Sequence, residues 1–407
     1  MRRALTIIAI VIVLAGTGTA AYFYFFVNTA SVVVAPAGSV DLPIAGQGAS
    51  SPVEEFGTTT VTTNTSPTPP PRLVKISAGP VVPGEMVVNS DGESSASPST
   101  SLGTGETIVS YIERQSGNVY SYSVRTGTLT RISNRTIPGI QSAVWLPDAS
   151  GVFVRYLSGA DFSTTNTYAL RTDGSDGFFL PQNLSDIAVS STGVLTLSSG
   201  VNGSVASLAR TDGTHASQIF STPLSSLRVA FAGKNQYLAY TKPSATLPGA
   251  AFLVDGAGYF SRVAGPRNGL VAKASHSGKW LLVSYADAGG AMQMELANVA
   301  TGEKIPLPIA SIADKCVWTA DDSTIYCGVP MNPPQGSRYP DDWYRGTVSF
   351  TDRIWKIQVT GRYAQFILDF SKETKESLDV EAPAVDSLDT VLVFTNKNDG
   401  SLWGYSL

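Results

Sequence analysis

A glycine turn of the form Thr-Gly or Asp-Gly recurs along the chain, each time after a short segment in which apolar and polar residues alternate. Successive glycines of these turns lie 47, 39, 43, 46 and 59 residues apart. A period of about 44 residues with one enlarged unit is typical of a repeat architecture, and glycine supplies the positive φ that tight hairpin turns require. The turns are Thr126-Gly127, Asp173-Gly174, Asp212-Gly213, Asp255-Gly256, Thr301-Gly302 and Thr360-Gly361.

A second pattern precedes these turns and consists of two apolar segments joined by a short polar turn. Together with the segments that flank the glycine turn, it gives four short strands per unit, which is the content of a β-propeller blade. Two clear copies are Trp145-Leu146-Pro147-Asp148 and Ser275-His276-Ser277-Gly278-Lys279-Trp280. These phrases resemble the bacterial WD40-like, TolB-type propeller repeats over about residues 72–407. The resemblance implies the fold, whereas propellers carry many unrelated functions.

The glycine turns mark six units, and residues 384–407 read as a seventh unit with three strands. Residues 72–77 match the outer-strand phrase at 128–133 and can supply the missing strand. We therefore predict an all-β, seven-bladed β-propeller at 72–407 whose ring is closed by residues near 72–77 pairing with the last blade. Such closure removes an exposed sheet edge. The low charged fraction of 15% supports strands and turns over solvated helices.

The N-terminal region contains a long uncharged segment at residues 4–27, preceded by Arg2 and Arg3. As a helix it would extend about 36 Å, enough to cross a hydrocarbon core of about 30 Å. The two arginines place the N-terminus in the cytoplasm by the positive-inside rule. We predict a cytoplasmic tip and transmembrane helix at 1–29, contact with the lipid bilayer through 4–27, and a single-pass cell-membrane protein with an extracytoplasmic propeller. A cleaved secretory signal is the alternative, because Thr19-Ala20-Ala21 offers small residues for cleavage.

Residues 30–71 are rich in Pro, Ser and Thr and read as a disordered linker between anchor and propeller. Without Arg2 and Arg3, the remaining residues carry a net charge of −6 and no basic cluster. Nucleic acid is therefore not an expected partner, because its recognition needs concentrated Lys and Arg.

The enlarged unit contains an insertion at residues 331–346, between the second and third strands of its blade. Tyr, Trp and Arg dominate binding hot spots, and loops over a rigid scaffold often carry function. Alternatively, its aromatic residues cap the end of the central channel or pack on their own blade. Two adjacent carboxylates without further ligand spacing do not predict a metal site. The predicted binding residues are Tyr339, Asp341, Asp342, Trp343, Tyr344 and Arg345.

The two cysteines, Cys316 and Cys327, flank a turn centred between Asp321 and Asp322. Symmetric strand pairing places them opposite each other, at a Cα separation of about 4.5 Å that is within disulfide range. A disulfide is plausible outside the cytoplasm, and two buried thiols that pack as small apolar groups are the alternative.

Sequence motifs for catalysis are scarce. No Gly-x-Ser-x-Gly elbow or Walker-type phosphate loop occurs, and His215 and His276 are expected in surface turns. We therefore predict no catalytic residues and no cofactor, and interpret the protein as a non-catalytic, membrane-tethered binding or scaffold module that recognises a protein or cell-envelope polymer through its propeller face. The alternative is a propeller enzyme, glycan-active or lyase type, with a carboxylate and aromatic site at the channel mouth. Convergent charged side chains with shifted pKa values at that mouth would favour the enzyme.

Overall fold

The computed structural model describes residues 33–35, 72–90, 106–133, 136–172, 175 and 177–407. The predicted transmembrane segment at 4–27 lies outside the described residues, as does the linker apart from 33–35. None of the helices in the described part of the chain has the length and apolar character that a membrane crossing requires.

The described residues are almost entirely β-strand and turn. The first strands are β1 (Val33–Ala35), β2 (Leu73–Lys75), β3 (Met86–Ser90), β4 (Glu106–Ile112), β5 (Val119–Ser123), β6 (Leu129–Arg131), β7 (Ile140–Trp145), β8 (Gly151–Ser158), β9 (Thr164–Arg171) and β10 (Phe178–Phe179). They are followed by β11 (Leu184–Val189), β12 (Val194–Gly200), β13 (Gly203–Ala209), β14 (Ser217–Thr222), β15 (Leu227–Phe231), β16 (Gln236–Thr241), β17 (Pro248–Asp255), β18 (Phe260–Ala274), β19 (Trp280–Ala286), β20 (Met292–Asn298) and β21 (Lys304–Pro306). The last strands are β22 (Cys316–Trp318), β23 (Thr324–Pro330), β24 (Asp352–Gln358), β25 (Tyr363–Asp369), β26 (Val380–Val385), β27 (Val391–Asn396) and β28 (Leu402–Ser406).

Three short helices interrupt these strands within the described residues. A 3-10 helix at Ala313–Lys315 leads directly into β22. The helix α1 (Asp341–Tyr344) lies in the insertion between β23 and β24, and α2 (Phe370–Glu373) follows β25. The insertion thus lies between the second and third strands of its sheet, as the sequence indicates.

Most sheets pair four strands in the order in which the chain makes them. This holds for β3 to β6, for β7 to β10, for β11 to β14, and for β26 to β28 with β2. One sheet runs from β15 to β21 because β18 pairs with both β17 and β19, and β22 to β25 carry β1 as a fifth strand. Sequential antiparallel sheets of this kind fit the β-propeller that the sequence predicts.

The two ends of the repeat region meet in one sheet. In the antiparallel pair of β2 and β28, Leu73 lies opposite Tyr405 and Lys75 lies opposite Trp403. This is the pairing expected for residues 72–77, and it removes an exposed edge from the sheet. At another edge, β1 pairs in parallel with β25, Val33 opposite Tyr363. This short strand falls within the segment expected to be a linker.

Apolar side chains that alternate along the strands form the core between neighbouring sheets. In the largest cluster Leu282, Leu296 and Ile325 are fully buried. The repeat turns also pack closely against one another, because a Cβ atom on Gly278 would lie 2.2 Å from the carbonyl oxygen of Ala232. Gly278 adopts φ 74°, so both its conformation and the approach of the next turn require glycine.

Candidate functional site

The insertion is fixed at its base by the two adjacent aspartates predicted as binding residues. Asp342 Oδ2 accepts a hydrogen bond from Arg338 N at 2.8 Å. Asp341 Oδ1 accepts one from Ala245 N, in the loop between β16 and β17, at 3.2 Å. The insertion therefore reaches from its own sheet to a loop of the sheet that begins with β15, and the two carboxylates organise backbone there.

The first aromatic residue of α1, Trp343, points into the protein and is 2% exposed. Its Nε1 donates to both carboxylate oxygens of Asp379 at 3.1 Å, and Phe350 N donates to Asp379 Oδ2 at 2.9 Å. Lys315 Nζ also donates to Asp379 and lies 2.8 Å from Asp352 Oδ2. We call these five residues the Lys315 cluster.

All three charged side chains of the Lys315 cluster are completely buried. Burial raises the pKa of Asp352 to about 6, the Lys315 ammonium opposes this shift, and the charge of Asp379 adds to it. Asp352 Oδ1 has no hydrogen-bond partner among the described residues. Two carboxyl groups thus share one ammonium out of reach of solvent, which makes the cluster an anchor for the insertion and not a site for a solute.

The second aromatic residue of α1, Tyr344, faces a different charged group. Its Oη donates to Asp314 Oδ2 at 2.6 Å, and Arg228 Nη1 donates to the same oxygen at 2.9 Å. The Arg228 guanidinium lies 5.2 Å from the centroid of the Tyr344 ring, within cation–π range. Tyr344 and Trp343 are consecutive, as are Asp314 and Lys315, so one short helix contacts two neighbouring charged groups.

Asp186 and Tyr240 complete this second group, which we call the Arg228 cluster (Asp186, Arg228, Tyr240, Asp314 and Tyr344). Asp186 lies in β11 and Arg228 in β15, the first strands of two successive sheets, and Asp186 Oδ2 accepts a hydrogen bond from Val229 N at 2.9 Å. First strands surround the central channel of a propeller. The cluster therefore belongs to the channel side of the sheets.

Two acidic groups of the Arg228 cluster, Asp186 and Tyr240, have raised pKa values. Burial raises the pKa of the Asp186 carboxyl, and the positive charges of Arg228 and Arg155 oppose the shift. Burial and the charge of Asp314 raise the pKa of Tyr240, so the phenol stays protonated. A carboxyl group whose pKa is raised by burial favours its protonated form, which is the form that a general acid needs.

Solvent reaches the Arg228 cluster, in contrast to the Lys315 cluster. The Arg228 side chain is 34% exposed and the Asp314 side chain is 30% exposed. A dissolved molecule can therefore contact these two groups, and the neighbouring Asp186 is itself only partly buried. Exposure, opposite charges and a perturbed carboxyl pKa together make the Arg228 cluster the candidate functional site.

The remaining residues predicted from the insertion have other surroundings. Tyr339 is buried, and its Oη donates to Pro334 O at 2.8 Å. Arg345 is exposed. Of the predicted residues, Tyr344 joins the Arg228 cluster and Trp343 the Lys315 cluster.

Sequence reasoning missed Asp186, Arg228 and Asp314. One signal for Arg228 was available: it is a charged residue inside the apolar phrase Leu227–Phe231, in a chain with little charge. Asp314 carries no such signal, because only the fold brings it to β15.

Cys316 and Cys327 lie opposite each other on β22 and β23 and form a disulfide with a Cα separation of 4.1 Å. The bond lies directly after the 3-10 helix that holds Asp314 and Lys315. It therefore fixes the start of β22, directly after the helix that contributes Asp314 to the Arg228 cluster and Lys315 to the Lys315 cluster.

Metal ligands do not gather in the described part of the chain, where no group of three or more His, Cys, Asp or Glu side chains is placed to hold an ion. His215 and His276 are exposed turn residues. The candidate site thus consists of carboxyl, guanidinium and phenol groups.

Comparison with protein-family models gives no match, and no curated protein matches the chain. Solved structures do share the fold. Oligogalacturonate lyase from Vibrio parahaemolyticus has a TM-score of 0.55 at 10% identity over 82% of this chain and 93% of the lyase. The GH74 xyloglucanase from Xanthomonas campestris has a TM-score of 0.53 at 13% identity over 82% of this chain and 53% of the enzyme. TolB from Acinetobacter baumannii has a TM-score of 0.43 at 11% identity over 62% of this chain and 59% of TolB.

These findings contradict the prediction that the protein is not an enzyme, because the structures that share its fold include a lyase and a glycan hydrolase. The prediction relied on the scarcity of histidine and cysteine. That reasoning fails because carboxyl, guanidinium and phenol groups suffice for acid–base chemistry, and the Arg228 cluster contains all three. At these identities the likeness shows the fold alone.

Proposed function

We propose that the protein is a propeller enzyme of the glycan-active or lyase type and that the Arg228 cluster is its active site. The observation that carries the proposal is the convergence of Arg228 and Tyr344 on one oxygen of Asp314, at 2.9 and 2.6 Å, beside Asp186 with its raised pKa. Charged side chains from two sheets and from the 3-10 helix, together with the Tyr344 phenol of the insertion, meet at one partly exposed position.

The proposed chemistry is cleavage of a glycosidic bond in which Asp186 gives its proton to the leaving oxygen. The carbon that loses this oxygen bonds to the oxygen of a water molecule in hydrolysis, or forms a double bond as the adjacent carbon loses a proton in elimination, and the released proton restores Asp186. Hydrolysis and elimination both require a proton on the leaving oxygen, and burial raises the pKa of the Asp186 carboxyl, which favours the protonated form that a proton donor needs. Arg228 binds oxygen atoms of the substrate through its N–H groups. Asp314 and Tyr344 hold the guanidinium in place, so they are positioning residues.

The remaining features of the proposal follow the sequence. We take the protein to be a seven-bladed propeller held at the outer side of the cell membrane by residues 4–27. Its substrate would then be a polymer of the cell envelope. The polymer that the sequence analysis predicts as a binding partner is thus proposed here as the substrate. The insertion at 331–346 supports this proposal through Tyr344, which reaches the Arg228 cluster.

The test is a screen of the full-length protein against neutral and acidic oligosaccharides. New reducing ends without unsaturated sugars indicate hydrolysis, whereas new reducing ends accompanied by the ultraviolet absorbance of an unsaturated sugar indicate elimination. We expect one of these two signals with at least one glycan. No turnover of any glycan by folded protein would overturn the proposal.

A further inference from the structure

A second concave site lies between the sheet of β22 to β25 and the sheet that β2 closes. It is a pocket of about 440 Å³, within the size range of small-molecule sites. Lys356 and Phe366 line it from one sheet, Arg72 and Tyr405 from the other, and Asp389 from the turn between β26 and β27. None of these residues belongs to the Arg228 cluster.

Lys356 and Asp389 line this pocket with opposite charges, close enough for the charge of Lys356 to act on Asp389, but they form no ion pair with each other. Lys356 Nζ lies 5.5 Å from the Tyr326 ring centroid and has no hydrogen bond or ion pair among the described residues. Asp389 Oδ2 accepts a hydrogen bond from Tyr326 Oη at 3.1 Å, whereas Asp389 Oδ1 is buried without any donor in the described part of the chain. An acceptor left unpaired in this way is unfavourable, so a ligand donor that reaches the Asp389 carboxylate would be favoured there.

The opposite wall of the pocket holds a second cation in a fixed position. Arg72 Nε and Nη2 donate to Ser406 O at 3.2 and 3.0 Å, and its guanidinium lies 5.0 Å from the Tyr405 ring centroid. With Lys356, the pocket therefore contains two positive charges and one negative charge between aromatic side chains. An anionic group is attracted to the cations, and an apolar or sugar face can pack on the rings.

We propose that this pocket binds a small molecule in which a carboxylate stands next to a hydrogen-bond donor. The carboxylate would lie beside Lys356 and Arg72, and the neighbouring hydroxyl or ammonium group would donate to the Asp389 carboxylate. A sugar acid and an amino acid share this chemistry. The proposal is independent of the enzymatic function, because the two sites have no residue in common.

Calorimetric titration of the full-length protein with D-glucuronate, L-alanine and D-glucose separates the two sources. Glucuronate carries a carboxylate and hydroxyls, alanine a carboxylate and an ammonium, and glucose hydroxyls only. We expect glucuronate or alanine to bind and glucose to bind at least about tenfold more weakly, since glucose lacks the charged partner for Lys356. Equal binding of all three, or of none, would overturn the proposal.

Variants locate the binding. Lys356→Met keeps the length of the side chain and removes its charge, and Asp389→Asn keeps the shape at φ 59°, a conformation that asparagine tolerates. Each variant should lower the affinity for the carboxylate ligand by about tenfold, whereas Lys234→Met, at an exposed turn, should leave the affinity unchanged. Unchanged affinity in both pocket variants would contradict the assignment.

A measurement on the unmodified protein covers the case of misfolded variants. The bound carboxylate should slow acetylation of Lys356, read by mass spectrometry, with Lys234 as internal reference. Equal rates for Lys356 with and without saturating ligand would place the ligand elsewhere. Because these readouts use no glycan turnover, their failure is distinguishable from failure of the proposed enzymatic function.

Discussion

Trp343 Nε1 lies 3.1 Å from both carboxylate oxygens of Asp379, and both side chains are buried. This contact connects the insertion between β23 and β24 to the segment that begins β26. The next residue, Tyr344, donates to Asp314 at the candidate site. The buried contact of Trp343 therefore determines where Tyr344 makes its partly buried contact, and the insertion acts as a support for the Arg228 cluster.

Removal of only the indole donor tests this support. Trp343→Phe should lower the free energy of unfolding by about 1–3 kcal/mol, since it leaves the buried Asp379 carboxylate short of a donor. Trp343→Ala should lower it by about 3–5 kcal/mol because a cavity is added. Urea denaturation measures both values. An unchanged free energy for Trp343→Phe would mean that the hydrogen bond does not hold the insertion.

The buried ammonium is expected to be more important than the indole. Lys315→Met leaves Asp352 and Asp379 buried together without a counter-charge, which should cost about 3–5 kcal/mol at neutral pH. The loss should shrink near pH 4, because Asp352, whose pKa is raised to about 6 by burial, is then protonated. Denaturation at both pH values checks this, with Lys234→Met as the exposed control. A loss independent of pH would point to packing and not to charge.

Glu85 should make stability depend on pH. It is buried just before β3, Thr395 Oγ1 donates to its Oε2 at 2.9 Å, and burial raises its pKa to about 8. The folded protein thus binds this proton more tightly than the unfolded chain, so the stabilisation is complete below about pH 4.5 and is lost as pH rises towards 8.

Glu85→Gln removes that titration. The free energy of unfolding of the variant should therefore fall less between pH 4.5 and about 8 than that of the unmodified protein. Urea denaturation across this range measures the difference, and Glu373→Gln, at an exposed helix residue, serves as the control. Parallel curves for Glu85→Gln and the unmodified protein would contradict the assignment.

The disulfide should stabilise the strand that follows Asp314 and Lys315. Cys316 and Cys327 are 11 residues apart, and closing a loop of this length stabilises a protein by about 3 kcal/mol. The double variant Cys316→Ala, Cys327→Ala should lose about that amount in urea denaturation. The same loss should appear when the unmodified protein is unfolded in reductant, and a reductant-insensitive midpoint would contradict this.

Much of the fold could be predicted from the sequence, since turn glycines and alternating apolar residues are local signals. The pairing of residues 72–77 with the last strand could also be predicted, because these residues match the outer-strand phrase at 128–133. The site was less accessible, because Asp186, Arg228 and Asp314 are far apart in sequence and only the arrangement of the sheets joins them. The aromatic residues of the insertion were found by residue type, but that could not distinguish Trp343, which is buried on Asp379, from Tyr344 at the candidate site.

The central claim is that the Arg228 cluster cleaves a glycan with Asp186 as proton donor. The most direct measurement is the turnover, by Asp186→Asn, of whichever glycan the unmodified protein cleaves, compared with Asp212→Asn at an exposed turn. Loss of one proton donor typically lowers the rate by about 10²–10⁴-fold. The account predicts a loss of this size for Asp186→Asn, with the fold intact by circular dichroism and full activity in Asp212→Asn. Equal turnover by the two variants would contradict it.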